Sequence, residues 1–521
     1  MAQRIVIDPV TRIEGHLRVE VEVENKMVVN AWTKGTMFRG IEQIIQGRDP
    51  RDAVFITERV CGVCMAAHGW TSATAIENAS GADIPPVARL IRNLLAASLW
   101  LHDHVLHFYH LSALDYLDIL AIKNYQGKDE KLLTVKEKIL KLVEAGDTAP
   151  FTPRYNPDDY SVADPEVVTT VVSHYLDALK IQAKAKKMSA ILGGKQPHQS
   201  SIVVGGVTGY PSVEQLQQFK HLLAQVAHFI KTIYVPDVVN LATGPLLPLA
   251  QSGFGEGPGN YLSYGGFTLD AQGEDKLFKA GFVRNNQIKR IESLDESKIT
   301  EAVTSSWYKD SPPAHPWAGS TEVDLDKEKA YTFIKAPRYD GLPTEVGPLA
   351  RMIISEHEPF FRLMEEYGIK PGAVARHLAR AQEAVLICDA MFQWLRELEE
   401  TLAQEKAAGQ VNIHNTQAWE PPLAGKGAGL QEAPRGALGH WVEIADKKVK
   451  NYQMVVPTTW NISPRDDKGI RGPMEQALIG IPVNPNNPVN LVRVIRSFNP
   501  CLACAVHVVS PQGEKVYHIL G

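Results

Sequence analysis

Four of the five cysteines in this 521-residue chain form two Cys-x-x-Cys pairs, Cys61/Cys64 and Cys501/Cys504, near opposite ends of the sequence. Two thiolates at that spacing chelate one soft metal through a tight turn, which Gly62 and Pro500 help to shape, and two such turns supply four sulfurs. Redox pairs and structural zinc sites share the motif. Structural zinc, however, gathers its ligands in a compact module, with roughly 15–20 residues between pairs. The entropy of loop closure grows only logarithmically with length, so the wide separation is tolerable. Only a whole folded domain brings such distant pairs together, which suits a buried active centre better than a local staple.

The length exceeds that at which single cores usually stop growing, so two or three packed regions around a large interior are expected. A composition of 44% hydrophobic and 22% charged residues is that of an ordinary globular protein, and a net charge of −5 makes no electrostatic case for nucleic acid. Asp8 and Glu14 interrupt the start, where a secretory signal needs an apolar stretch, so no export address is expected in the chain itself. The apolar segment around 90–120 is broken by Arg92, His102, Asp103 and His104, which predicts a buried or amphipathic helix rather than a membrane span.

Alternating apolar and polar residues over 4–7, 16–24 and 27–32 predict short strands. Asp49-Pro50 predicts a helix start running through Ala53, Ile56 and Val60 to the first cysteine pair. Helical periodicity over 86–122, 134–144, 165–192, 213–241 and 372–407 predicts long helices that a bundle would bury. Between 250 and 350 the chain turns Gly- and Pro-rich, an irregular excursion that is not expected to fold alone. After Gly425 a Gly-rich loop is expected to lead into strands near 438–444 and 452–456, then a short helix and the second pair. The expected class is α+β, predominantly α: a central helical bundle (51–249 and 351–410), an N-terminal β region (1–50), the irregular insertion (250–350) and a C-terminal β region with the second cysteine motif (411–507).

In full, the motifs are Arg59-Val60-Cys61-Gly62-Val63-Cys64, with His68 four residues on, and Pro500-Cys501-Leu502-Ala503-Cys504, with His507 three residues on. They resemble the large-subunit signatures of nickel–iron hydrogenases, of the membrane-associated uptake type. The likeness runs through Thr11-Arg12-Ile13-Glu14-Gly15-His16, Phe38-Arg39-Gly40-Ile41-Glu42, His102-Asp103-His104, Ala336-Pro337-Arg338-Tyr339, 345–351, Ala433-Pro434-Arg435-Gly436 and 456–461.

The resemblance implies nickel on all four cysteines, with Cys61 and Cys501 terminal and Cys64 and Cys504 bridging to an iron that carries cyanide and carbon monoxide. A terminal thiolate keeps a lone pair free to accept a proton. Glu14 matches the family's proton-relay glutamate, Arg435 the arginine over the open face of the metals, and Asp103 the carboxylate that holds it. Pro434, Pro457 and Thr458 would contact the cyanides. Glu42, the carbonyl of Met454, and His507 correspond to a structural divalent-metal site, magnesium or iron, and Val63 and Leu111 to positions that gate gas access. His104, His107 and His110 are read as helix-lining histidines with hydrogen-bond partners, and Cys388 as a small buried hydrophobe.

Asn499 stands where the family usually has Asp, so Arg435 is expected to rely on Asp103 for its charged partner. Fourteen residues follow His507, whereas a dedicated protease removes such a tail in many members after metal insertion. The sequence is therefore expected to be a precursor, with 508–521 cleaved. One cysteine remains outside the metal site, too few for an iron–sulfur relay, so the electrons from dihydrogen need a partner. By resemblance that is an iron–sulfur small subunit forming an obligate heterodimer, with a dimer of heterodimers as a further expectation. It also carries the export signal to the periplasmic face of the cytoplasmic membrane, which would then be contacted only through partners; a cytoplasmic location is the alternative. Metal-insertion factors are implied as well. The competing classes are a non-catalytic hydrogenase-related structural subunit, whose kind has generally lost the cysteines, and a zinc-stapled interaction protein.

Overall fold

The computed structural model describes residues 3–147, 151, 155–270 and 274–505. β1 (Gln3–Ile7), β2 (Leu17–Glu24) and β3 (Met27–Gly35) form an antiparallel sheet in that order. β2 alternates apolar and charged residues, and its valines are buried on one face. Two short helices follow, α1 (Ile41–Ile45) and α2 (Pro50–Glu58). The Asp49 carboxylate accepts the Arg51 N–H and Pro50 occupies the first turn, so α2 starts where the sequence predicts.

α3 (Met65–Ser80), α4 (Pro86–Leu106), α5 (Glu130–Glu144) and α6 (Pro165–Gly193) come next, and α4 packs on α3 and along α6. After the short hairpin of β4 (Ile202–Val203) and β5 (Gly206–Val207), α7 (Val213–Phe229) opens with a Ser212/Gln215 capping box. Two of the predicted helices are interrupted. α4 gives way at His107 to a π-turn through Ser112, where Arg12 takes the Leu111 carbonyl. α7 passes through a second π-turn, Ile230–Tyr234, into α8 (Val235–Thr243), where Pro236 cannot donate to the helical ladder. The run Val213–Thr243 is long and apolar enough to cross a membrane, but it packs against α6 and α12.

Past α9 (Leu247–Gln251), the 250–350 region is more regular than its composition predicts. β6 (Tyr261–Thr268), β7 (Lys276–Val283), β8 (Ile291–Glu292) and, later, β11 (Glu345–Val346) make a sheet of order β11-β6-β7-β8, while β9 (Ile299–Ala302) pairs with β10 (Ala336–Tyr339). α10 (Pro348–Ile354), α11 (Glu358–Tyr367) and the 35-residue α12 (Ala373–Ala407) complete the helices around α4. The expected Gly-rich loop after 425 is instead a strand. β12 (Ala424–Ala433) pairs with β13 (Gly436–Ala445), and β13 with β14 (Lys448–Val455). A Cβ on Gly425, Gly427 or Gly429 would fall 2.5, 2.0 or 2.1 Å from the carbonyl oxygens of Ala79, Ala75 and Thr71, so every second glycine lets β12 lie against the backbone of α3. Four short helices end the described chain: α13 (Pro457–Asn461), α14 (Pro473–Leu478), α15 (Val489–Ser497) and α16 (Leu502–Ala505).

Candidate metal centre

Cys61 and Cys64 occupy the turn between α2 and α3, Cys64 being the residue that precedes the first turn of α3, and Cys501 and Cys504 lie at the start of α16. The two turns meet in the interior. All four sulfurs are buried and within 4.8 Å of one another. The Sγ–Sγ distances are 3.3 Å for Cys61–Cys501, 3.2 Å for Cys64–Cys504 and 2.9 Å for Cys501–Cys504. The main-chain N–H groups of Val63 and Cys64 point at Cys61 Sγ, at 3.2 and 3.3 Å. Burial alone would raise the Cys61 thiol, but S–H donation from the other three and the Arg435 charge hold it well below the usual range. Burial, together with that thiolate and the neighbouring sulfurs, pushes Cys501 and Cys504 well above it. The protons thus belong to the set of four. Four soft sulfurs converging on one point, already biased toward a thiolate, fit a thiophilic metal such as nickel.

Glu14 lies in the loop between β1 and β2, where it forms a parallel bridge with Cys501. Its Oε2 lies 3.1 Å from Cys501 Sγ and accepts the Ala503 N–H at 3.0 Å. Gly15 makes this approach possible, for at φ +79° a Cβ there would fall 2.7 Å from the Ala503 nitrogen. The preceding residues are fixed by charge: Arg12 and Arg496 both bind Asp115, and Arg496 Nε donates to the Thr11 carbonyl at 2.9 Å. Burial and the Cys61 charge raise the Glu14 carboxyl above its ordinary value.

Pro434 and Arg435 form the tip of the β12–β13 hairpin. Arg435 Nη2 pairs with Asp103 Oδ1 at 2.8 Å, and its Nε donates to the Asn499 carbonyl at 3.0 Å. Its Nη1 is buried with no partner among the described residues, which fits an acceptor on a group bound beside the sulfurs. The Asn499 amide donates to Asp103 Oδ2 at 2.9 Å, so the residue that cannot supply a charge still holds the carboxylate that does. Asn499 has φ +54°, a conformation that asparagine tolerates better than most residues. Arg351 clamps the hairpin tip through the Ala433 and Pro434 carbonyls, at 3.0 and 2.9 Å, while paired with Glu383 and Glu432. Thr458 Oγ1 accepts the Cys501 N–H at 3.0 Å, which leaves its own hydroxyl proton free to donate. Pro457 opens α13 beside it.

The family profile for nickel-dependent hydrogenase matches residues 39–507, and a HoxL-like profile matches residues 4–31. The chain is 37% identical to the uptake hydrogenase large subunit of Rhizobium leguminosarum bv. viciae, over 99% of this chain and 97% of that one. It is 37% identical to the hydrogenase-2 large chain of Escherichia coli K12 over the full length of both. The Ni-Fe-Se hydrogenase of Desulfovibrio vulgaris Hildenborough in its reduced state superposes with TM-score 0.83 at 39% identity, over 97% of this chain and 100% of that one. This chain belongs to the nickel-dependent hydrogenase family. It is a nickel–iron hydrogenase large subunit, the catalytic subunit of an oxidoreductase, and its four-cysteine cage fits the metal centre of such an enzyme.

In this hydrogenase Glu42 and Met454 also meet. Glu42 Oε1 accepts the Met454 N–H at 2.8 Å, and its other oxygen binds the Thr321 hydroxyl. Around them Lys335 Nζ donates to Gln453 Oε1 at 2.8 Å and lies 3.6 Å from Glu301. The third expected ligand, His507, and the tail 508–521 lie outside the described residues. His104 binds Glu383, His107 the Arg496 carbonyl and His110 the Gln182 amide, so each has the hydrogen-bond partner expected of a helix-lining histidine. Cys388 is buried in α12. Val63 sits between the cysteines of the first pair, and Leu111 in the π-turn. Two arginines near the site, Arg39 and Arg351, are absent from the residue set that the sequence singles out. Their signal was only that they lie inside the segments that resemble the family.

Proposed function

We propose that this subunit splits dihydrogen reversibly into protons and electrons, with the electrons leaving through an iron–sulfur partner subunit. The observation that carries the reading is the convergence of four buried sulfurs with a carboxyl group on one of them. When bound, a nickel–iron centre with cyanide and carbon monoxide on the iron supplies redox-active metals at which dihydrogen is cleaved heterolytically. Cys61, Cys64, Cys501 and Cys504 would hold it. Cys501 takes the proton, because its sulfur has Glu14 within hydrogen-bond reach, and Glu14 passes it outward. Arg435, fixed by Asp103, keeps Nη1 without a partner among the described residues, and this group, Pro434, Pro457, the Thr458 hydroxyl and Asn499 would contact the iron's ligands. Glu42, the Met454 carbonyl and His507 would hold a second divalent metal, magnesium or iron.

Cys388 alone remains outside the cage, so an iron–sulfur subunit must carry the electrons. That heterodimer is exported as a unit to the periplasmic face of the cytoplasmic membrane. The tail after His507 is removed by a protease once the metals are in place. Metal and infrared analysis of the purified heterodimer is the test. The expected result is one nickel per large subunit with absorption bands of metal-bound cyanide and carbon monoxide; zinc in place of nickel would overturn the reading. Intact mass decides the cleavage, since an active, nickel-loaded chain still ending at Gly521 contradicts it.

A further inference from the structure

Arg39 lies in the loop between β3 and α1, just ahead of Gly40, which is held at φ +66°. Its Nη1 donates to the Arg59 carbonyl at 3.0 Å. Its Nη2 donates to two carbonyls from opposite ends of the chain, Val60 at 2.5 Å and Ala503 at 2.9 Å. Val60 immediately precedes Cys61, and Ala503 immediately precedes Cys504. Among the described residues outside the two cysteine turns, Arg39 is the one side chain whose hydrogen bonds reach both. Glu14 grips only the second turn, and Thr458 likewise.

We propose that Arg39 is a positioning residue that holds the two thiolate turns at the spacing nickel needs, an inference that rests on the four cysteines being nickel's ligands. A guanidinium suits the task because its N–H groups are fixed in one plane and aim at several carbonyls at once. A lysine ammonium is a single point on a flexible stem and cannot span the three acceptors in the same geometry. The two peptide units it fixes carry the Cα atoms of Cys61 and Cys504, so a shift of either carbonyl moves a sulfur directly. Arg39 also places a positive charge against the carbonyls that precede Cys61 and Cys504, in turns whose sulfurs bind metal only as thiolates. The sulfurs draw the turns together once metal is bound; Arg39 does so through the main chain.

The test uses the full-length large subunit in its isolated complex, comparing the parent with Arg39→Met and Arg39→Lys. Three quantities are read: nickel per chain, the rate of nickel release to a chelator, and the paramagnetic signature of the nickel. Loss of an outer partner of a metal ligand typically weakens binding about 10–100-fold. Arg39→Met is therefore expected to release nickel faster by roughly that factor and to shift the nickel signature, with Arg39→Lys in between. If Arg39→Met does not accumulate, Arg39→Lys alone carries the test, since it keeps the charge and loses the fork. Variants that match the parent in occupancy, release rate and signature overturn the proposal while leaving nickel binding by the cysteines intact. A parent that holds no nickel overturns the cysteine assignment instead, so the two failures are distinguishable.

Discussion

Glu14 is aimed by its surroundings: Arg12 and Arg496 are locked on Asp115, Gly15 permits contact with Ala503, and the Leu502 N–H binds the Glu14 carbonyl at 2.8 Å. Glutamine at this position keeps an acceptor for the Ala503 N–H and nearly the same volume but has no proton to pass. Glu14→Gln is expected to retain nickel while dihydrogen turnover falls by about 100-fold or more, the usual scale for a lost acid–base group; unchanged turnover with full nickel would remove Glu14 from the proton path. Arg351 has a different fate. It is fully buried with Glu383 and Glu432, so Arg351→Met strips two buried carboxylates of their shared guanidinium, leaving Glu383 to His104 and Glu432 to the Tyr264 N–H, and is expected to cost roughly 3–5 kcal/mol, read as a loss of folded protein or a large fall in melting temperature. The residues legible in the sequence were those whose chemistry is unusual wherever they stand, such as paired cysteines. An arginine reads as surface by default, so the buried tasks of Arg39 and Arg351 emerged only with the carbonyls that the fold brings to them.

At the scale of elements, helix starts were the most legible feature because their causes are local. Asp49-Pro50, Asp164-Pro165 and Ser212 with Gln215 each satisfy free N–H groups within three residues. The interruptions were not legible as breaks in apolar periodicity, since a π-turn keeps burying the same face. The one fixed by Arg12 depends on a residue 99 positions away. β12 was missed because glycine signals a loop when read alone, whereas here its value is the absence of a Cβ facing α3. Gly427→Ala would set a methyl 2.0 Å from the Ala75 carbonyl oxygen and 2.3 Å from the Ala79 nitrogen. The overpacking is expected to cost about 1–3 kcal/mol and to loosen the hairpin that carries Arg435. Gly209→Ala, with nothing within 4 Å of the added carbon, is the control. Thermal melting of the two variants decides the matter, and equal melting temperatures would show that β12 does not need this close approach.

Across the whole molecule, the two ends of the sequence are joined by more than sulfur. Val28 exchanges main-chain hydrogen bonds with Ile481 and Gly480, and the Thr33 N–H donates to Glu475 Oε1 at 3.0 Å, so the N-terminal sheet is anchored on α14. Closure of this kind could be inferred from the cysteine pairs, but its other contacts could not, because nothing in the spacing of Thr33 and Glu475 marks them as partners. Glu475 makes the closure sensitive to pH. Its carboxyl is fully buried, and among the described residues all its donors, from Thr33 and the Tyr331 hydroxyl, fall on Oε1, leaving Oε2 without a partner. Burial outweighs those hydrogen bonds and pushes the group up to about 7 from 4.5. Between those values the unfolded chain has lost the proton and the folded chain still holds it. Raising the pH therefore favours unfolding, and stability present below about 4.5 is lost as the pH climbs through about 7, on the order of 3 kcal/mol in all. Glu475→Gln cannot ionise, so its own cost is independent of pH. The advantage of the parent over Glu475→Gln in melting temperature should shrink, or reverse, between about pH 5 and about pH 8. A constant gap would mean that Glu475 is ionised in the folded protein throughout, and that the anchor between β3 and α14 is a charged one.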